Sequence, residues 1–332
     1  MTVYEAVVDP SDANLSHSLI LEQVGRDKKV LDVGCASGYL AEALVARGCA
    51  VSGVEFDERA AEVARPHLER LVVDDLNTLV LSEVFAGEQF DVVVFGDILE
   101  HLQDPAGTLR SAVALLAPGG SIVISIPNVA HGSLRLALLG GEWNPTDRGL
   151  LDATHIRFFT YTTLVSMVEG AGLQVDEARS TVADALATEV AVPTGMLPPE
   201  IVDWVRRRPL ADAYQFVIRA SVVPADGVPA GAPRVRPAIE PPVVNDHFHQ
   251  QAALVREEKQ RMLTIRDHII GLEAEAGVTR RRMTQLEEEN RELRGELLQV
   301  AQDRAEIYRS STWRIGKAAI SPATIVKKVL GR

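Results

Sequence analysis

The stretch Val30-Leu-Asp-Val-Gly-Cys-Ala-Ser-Gly-Tyr-Leu40 constrains this chain more than any other. An apolar, β-branched run ends in a Gly-rich turn, and helical spacing resumes at once. Gly34 and Gly38 let the backbone turn sharply and approach a ligand closely. The spacing is Gly-x-Ala-x-Gly, which differs from the Gly-x-Gly-x-x-Gly of dinucleotide binders, and no phosphate-loop lysine accompanies it. Asp32 lies at the end of the strand, where its carboxylate is placed to accept a hydrogen bond from a ligand ammonium.

The same alternation runs through the first 125 residues. Strand-like runs at 29–33, 50–54, 71–73, 91–95 and 121–126 are separated by helical spacing at 39–47, 58–65 and 109–116. Near-continuous apolar strands between helices predict a parallel sheet covered on both faces, the doubly wound, Rossmann-like α/β class. From 127 to 160 Gly, Pro, Asn and His replace regular periodicity, as in a substrate lid or pocket wall. A helix at 163–171 and strands at 173–178 and 214–222 close a domain spanning residues 1–222. Residues 223–246, rich in Pro, Gly and Ala, read as an extended, mobile linker.

Residues 247–310 carry heptads. Positions a and d from Met262 to Ile307 are mostly apolar, and the g–e′ pairs Glu275–Arg280, Arg282–Glu287 and Glu289–Arg294 are all of opposite sign. With Asn290 at an a position, this predicts a parallel two-stranded coiled coil and hence a homodimer. A single solvated charged helix is the alternative reading. Residues 311–332 form a basic amphipathic tail, suited to a membrane surface, to glycan-assembly proteins, or to plain packing as a terminal helix.

A formal net charge of -12 argues against nucleic acid as a partner. Two cysteines, with no CxxC pair, support neither a disulfide framework nor a structural zinc site. Met1–Ser18 lacks the apolar run of a signal peptide, so a cytoplasmic protein is expected, peripheral at the inner membrane face if the tail binds lipid.

Glu55 ends the second strand, 23 residues after Asp32, where an acid can take both hydroxyls of a ribose. Asp75 follows the third strand. The ordered motifs Leu31–Cys35, Glu55, Asp75, Phe90–Leu102, Leu116–Gly120 and Ile126–His131 resemble class I S-adenosylmethionine-dependent methyltransferases. The run Gly149–Thr160, with Tyr214–Val217, resembles a bacterial branch associated with cell-surface glycan assembly. By that resemblance S-adenosyl-L-methionine is the cofactor. Asp32, Gly34, Cys35 and Gly38 line its methionine part, Glu55 its ribose and Asp75 its adenine, with Asp97 near the sulfonium. Ala36 departs from the family, which often has glycine there.

The resemblance implies O-methylation of a sugar hydroxyl in a glycan or its precursor. The alternatives are a quinone-like or other small acceptor, and a non-catalytic scaffold acting through the coiled coil. A weak hydroxyl nucleophile gains from a general base. His155, His131 and Asp97 are the candidates, His155 first, with His101 read as more structural. Arg157 is available for an anionic acceptor group or for pairing with Asp152. The spacing of Asp97, Glu100, His101 and His155 matches no known metal motif, so no metal is expected.

Overall fold

The computed structural model describes residues 9, 11–224, 231–241 and 247–320. They divide into two compact units, residues 1–249 and 250–332. In the first, α1 (Ser16–Val24), β1 (Lys29–Val33), α2 (Tyr39–Val45), β2 (Ala50–Glu55), α3 (Glu58–Ala64) and β3 (Arg70–Val73) build one half of the sheet. The chain continues through α4 (Leu81–Val84), β4 (Phe90–Gly96), α5 (Pro105–Val113), β5 (Leu116–Pro127), α6 (Gly132–Leu139) and α7 (Tyr161–Gly170). It closes with β6 (Leu173–Val182), α8 (Pro199–Arg206), β7 (Ala213–Val222) and β8 (Arg236–Pro237).

The eight strands lie in the order β3-β2-β1-β4-β5-β7-β6-β8. Strands β1 to β5 pair in parallel, whereas β7 runs antiparallel between β5 and β6. Alternate residues of each central strand face opposite sides. On β4, Phe90, Val93 and Phe95 enter one core with Leu99, Leu109 and Phe216, while Val92 and Val94 enter the other with Leu19, Leu40 and Leu44. Burial on both faces is why these strands read as unbroken apolar runs. The order of strands reverses between β1 and β4, and the crevice beyond their carboxyl ends is where such folds bind ligands.

Several elements differ from expectation. The helix anticipated at 109–116 begins earlier, at Pro105, because Asp104 caps it by accepting from Gly107 N–H at 2.9 Å. It ends at Val113, and Leu116 already belongs to β5. The irregular 127–160 segment contains α6. Helix α1 is short and preceded by polar turns, and α8 is a short amphipathic helix that buries only Val202 and Val205 among its apolar side chains; the sequence reading placed neither.

Part of the expected linker is structured. Residues Arg236–Pro237 add an edge strand parallel to β6, Ala238 N–H donates to Ser180 O at 2.8 Å, and Val235 is buried. Tyr161 hydroxyl donates to Pro233 O. An edge strand tolerates the prolines that made this stretch read as extended and mobile. Residues 225–230 and 242–246 of the linker fall outside the described residues.

The second unit contains most of α9 (His247–Arg309), a single helix of 63 residues, followed by α10 (Ser311–Ile320). Gly277 and Gly295 do not interrupt α9. Large apolar side chains at the heptad positions, among them Ile265, Leu286, Leu293 and Leu297, are exposed in the single chain. Of the basic tail, residues 321–332 lie outside the described residues. Among the described residues no helix is long and apolar enough to cross a membrane.

Candidate active site

The Gly-rich turn after β1 folds over the end of β2. Gly34 and Cys35 N–H both donate to Val54 O, at 2.9 and 3.0 Å. Gly38 stands at φ +80°, and a Cβ there would lie 2.7 Å from Ala64 Cα, so backbone as well as conformation demands glycine. Gly34, at φ +81°, would set a Cβ 2.7 Å from the Ile98 side chain. Cys35 is a buried thiol beside Gly53, and burial pushes its pKa up, so it packs the turn as a small apolar group.

Glu55 clamps this turn. One carboxylate oxygen accepts from Ala36 N–H at 2.8 Å and the other from Asp57 N–H at 2.8 Å. Asp32 is buried, and its Oδ2 has no hydrogen-bond partner. Burial, and secondarily the charge of Glu55, raise its pKa to about 7. Asp75 accepts from Asn77 N–H and the Asn77 side-chain amide through Oδ1, at 2.9 and 3.0 Å.

Asp97 follows β4 at φ +53°, a left-handed position costly for a side chain other than glycine. Its Oδ1 accepts from Ser125 Oγ at 2.8 Å and from Gln215 Nε2 at 3.0 Å. Strands β4, β5 and β7 thus hold one carboxylate. Asp32, Glu55, Asp75 and Asp97 all stand at carboxyl ends of parallel strands, along one crevice. His17 on α1 stacks edge-on to Tyr39, ring centroids 5.0 Å apart, and the neighbouring helical residue Ile20 lies against Gly96.

The histidines separate. His131 is fully buried and caps α6: Nδ1 accepts from Ser133 N–H at 3.2 Å, so Nε2 carries the proton that it donates to Ala183 O at 3.0 Å. Both nitrogens of His131 are engaged, and burial lowers its pKa, so in this structure it serves as the cap of α6. Beside it Asn128 is also buried, donating to Ala213 O at 2.7 Å and Leu210 O at 3.2 Å and accepting from Ala130 N–H at 2.9 Å.

His155 lies elsewhere, against the short helical turn Leu99–His101 that follows β4. Ile156 and Arg157 N–H both donate to Glu100 O, at 3.0 and 2.9 Å, stapling their loop onto that turn. The staple brings His155 Nε2 to 3.9 Å from Glu100 Oε1 and its ring to 4.8 Å from that of His101. The guanidinium of Arg157 donates to Gln103 O at 2.6 Å. Glu100 was not among the expected site residues. Its burial at 1 % exposure is invisible in Leu-Glu-His-Leu, where an acid reads as solvated. Gln215 and Ser125, which position Asp97, also come from strands remote in sequence.

The arrangement suits a cationic nucleoside without phosphate: acids at four strand ends, a Gly-rich turn, and no lysine in that turn. A family model described as a methyltransferase domain matches residues 14–178. The chain is 38% identical over 155 residues to a ubiquinone biosynthesis O-methyltransferase of Thiobacillus denitrificans, covering 45% of this chain and 66% of that protein. It is 34% identical over 175 residues to the like-named enzyme of Cereibacter sphaeroides, covering 52% and 68%. Among solved structures it is similar to a SAM-dependent methyltransferase from Archaeoglobus fulgidus at 18% identity and a TM-score of 0.43, covering 61% of this chain and 93% of that one. The chain belongs to the class I S-adenosylmethionine-dependent methyltransferases. It spans about two thirds of the length of the curated relatives it matches. Those relatives carry ubiquinone biosynthesis in their names, so the expected glycan-assembly branch finds no support among them.

Proposed function

We propose that this protein transfers the methyl group of S-adenosylmethionine to a hydroxyl of a small, quinone-like aromatic acceptor. The observation that carries this reading is the similarity, over 155 residues, to ubiquinone biosynthesis O-methyltransferases. Asp32, Gly34, Cys35, Gly38, Glu55, Asp75 and Asp97 make up the donor site. Asp32 and Asp97 face the cationic methionine end, Glu55 takes the ribose, and Asp75 the adenine. Methyl transfer from a sulfonium is an in-line displacement, so alignment by rigid strand ends supplies much of the rate.

The acceptor side supports an aromatic substrate. Trp143 and Phe158 form an exposed edge-on pair, centroids 5.4 Å apart, and Phe158 and the exposed Ile156 flank the loop of His155. An aromatic pair of this kind can pack against a flat apolar ring. His155, with Glu100 behind it, assists removal of the hydroxyl proton. Burial and then the neighbouring His101 lower the pKa of His155. A weakened base matches a phenol, with a pKa near ~10, better than a far less acidic sugar hydroxyl.

We also infer a parallel homodimer through a coiled coil formed by the heptad region. This rests on the exposed apolar heptad positions and the complementary g–e′ charges.

The test is S-adenosylhomocysteine formation by the full chain with catechol or hydroquinol acceptors beside sugar acceptors. Turnover with the aromatic set, at least tenfold above the sugars in kcat/KM, is expected. Turnover with sugars alone would restore the glycan reading.

A further inference from the structure

The loop that carries His155 is fastened on both sides. Downstream, Ile156 and Arg157 N–H donate to the Glu100 carbonyl. Upstream, the fastening comes from a remote part of the chain. Glu189 Oε1 accepts from Leu150 N–H at 2.7 Å and from the Tyr214 hydroxyl at 2.9 Å. One carboxylate oxygen thus joins the loop, strand β7 and the segment between β6 and α8. Gly149 leaves space for this junction: at φ +94°, an added Cβ would collide with Glu189 Oε1 and lie 2.9 Å from the Tyr214 hydroxyl.

Leu150 and Leu151 are buried with Leu134, Ala137 and Val190, and Tyr214 packs against the same cluster. These apolar contacts seat the loop, but they are non-directional and do not set where the Leu150 peptide points. The hydrogen bonds of Glu189 do. That direction matters because the Leu150 backbone lies within reach of the His155 ring and favours its protonated form, as a carbonyl does. Tyr214 is itself anchored. Its carbonyl accepts from Asn128 N–H at 2.9 Å, and its ring stands edge-on to His131, centroids 5.6 Å apart. Burial pushes the pKa of its hydroxyl up, so it stays a donor around neutral pH. The next residue, Gln215, holds Asp97. Strand β7 therefore sets the acceptor loop with one residue and a donor-site carboxylate with the next.

We propose that Tyr214 and Glu189 are positioning residues for acceptor turnover: together they latch Leu150, so that His155, Ile156 and Phe158 stand in place before the acceptor arrives. The effect on rate rests on the proposed reaction; the effect on the loop does not. A loop that is in place only part of the time lowers apparent acceptor affinity in proportion to its competent fraction. The donor site, at the ends of β1 to β4, does not depend on Leu150.

The experiment compares the full chain with Tyr214→Phe, Glu189→Ala, their double variant, and Glu189→Gln. Catechol is the acceptor, S-adenosylmethionine affinity is measured calorimetrically, and amide hydrogen exchange follows residues 146–157. Each of the first two variants should lose at least fivefold in kcat/KM for catechol and exchange faster in the loop, with donor affinity within twofold. The double variant should be no worse than the poorer single one, because both changes break one junction. Glu189→Gln, whose carbonyl oxygen still accepts, should recover most of the loss. Unchanged exchange in the folded variants would overturn the inference, as would multiplying losses in the double variant or equal losses in the Gln and Ala variants. Faster exchange with unchanged catechol kcat/KM would overturn the part in turnover. A wild type that methylates no aromatic acceptor, while the variants still lose loop protection, would instead sink the proposed function and leave the latch standing.

Discussion

The carboxylate of Glu55 accepts a hydrogen bond from the N–H of Ala36 at 2.8 Å, and Ala36 sits at φ +47°. The donor turn is therefore held in a left-handed conformation by the acid proposed to take the ribose. A Cβ at such a position costs roughly 1–2 kcal/mol, which glycine avoids. Ala36→Gly should stabilise the protein by a few tenths to about 1 kcal/mol, the gain being reduced by glycine's greater freedom when unfolded. Ala36→Val should destabilise it. Urea denaturation of the three proteins decides; a stability order with valine above glycine would remove strain from the account.

Asp32 links donor binding to pH. Its folded pKa, raised to about 7, lies above the unfolded value of 3.8. Between these values the folded chain keeps a proton that the unfolded chain has released, so stability falls as pH rises from about 4 to 7. Thermal melts of the donor-free protein should show this slope, and Asp32→Asn should flatten it. A cationic donor favours the ionised acid, so affinity for S-adenosylmethionine should rise with pH through about 7. The variant should lose most affinity, at least tenfold, and show no such rise. Calorimetry across pH 5.5–8.5 gives the answer, and a pH-independent wild type contradicts the assignment.

Asn128, just after β5, donates to Ala213 O at the start of β7 and to Leu210 O before it, and accepts from Ala130 N–H in its own turn. Asn128→Ala would leave buried carbonyls and an N–H without partners, a cost of about 2–3 kcal/mol. Chemical denaturation should register the loss, while donor affinity in the remaining folded protein stays within a fewfold. A loss under about 0.5 kcal/mol would mean that water or local rearrangement replaces the amide.

The long helix α9 has its own test. If a second copy covers the exposed heptad face, light scattering should give twice the chain mass of 36.0 kDa. Leu286→Glu together with Leu293→Glu should return it to a monomer, because each charge would be buried against its counterpart. A monomeric wild type at tens of micromolar would leave α9 as a solvated helix.

Much of the donor half of this protein was legible in its sequence. The strand, turn and helix of 30–40 and the acids after successive strands are local features, because Gly, Asp and β-branched runs carry their conformational preferences wherever they occur. Glu100, Gln215 and the two histidines were not read with equal success. Their roles depend on neighbours 52 to 118 residues away, and no local pattern encodes such a distance.

The sequence by itself determined the doubly wound class and the acids at the strand ends, since apolar alternation and turn chemistry act over a few residues. Tertiary structure alone decided which histidine caps a helix and which meets Glu100. It also returned a Pro-rich stretch to the sheet as an edge strand. The physical reason is burial: hydrogen-bond partners, desolvation and close packing exist only once distant segments have met.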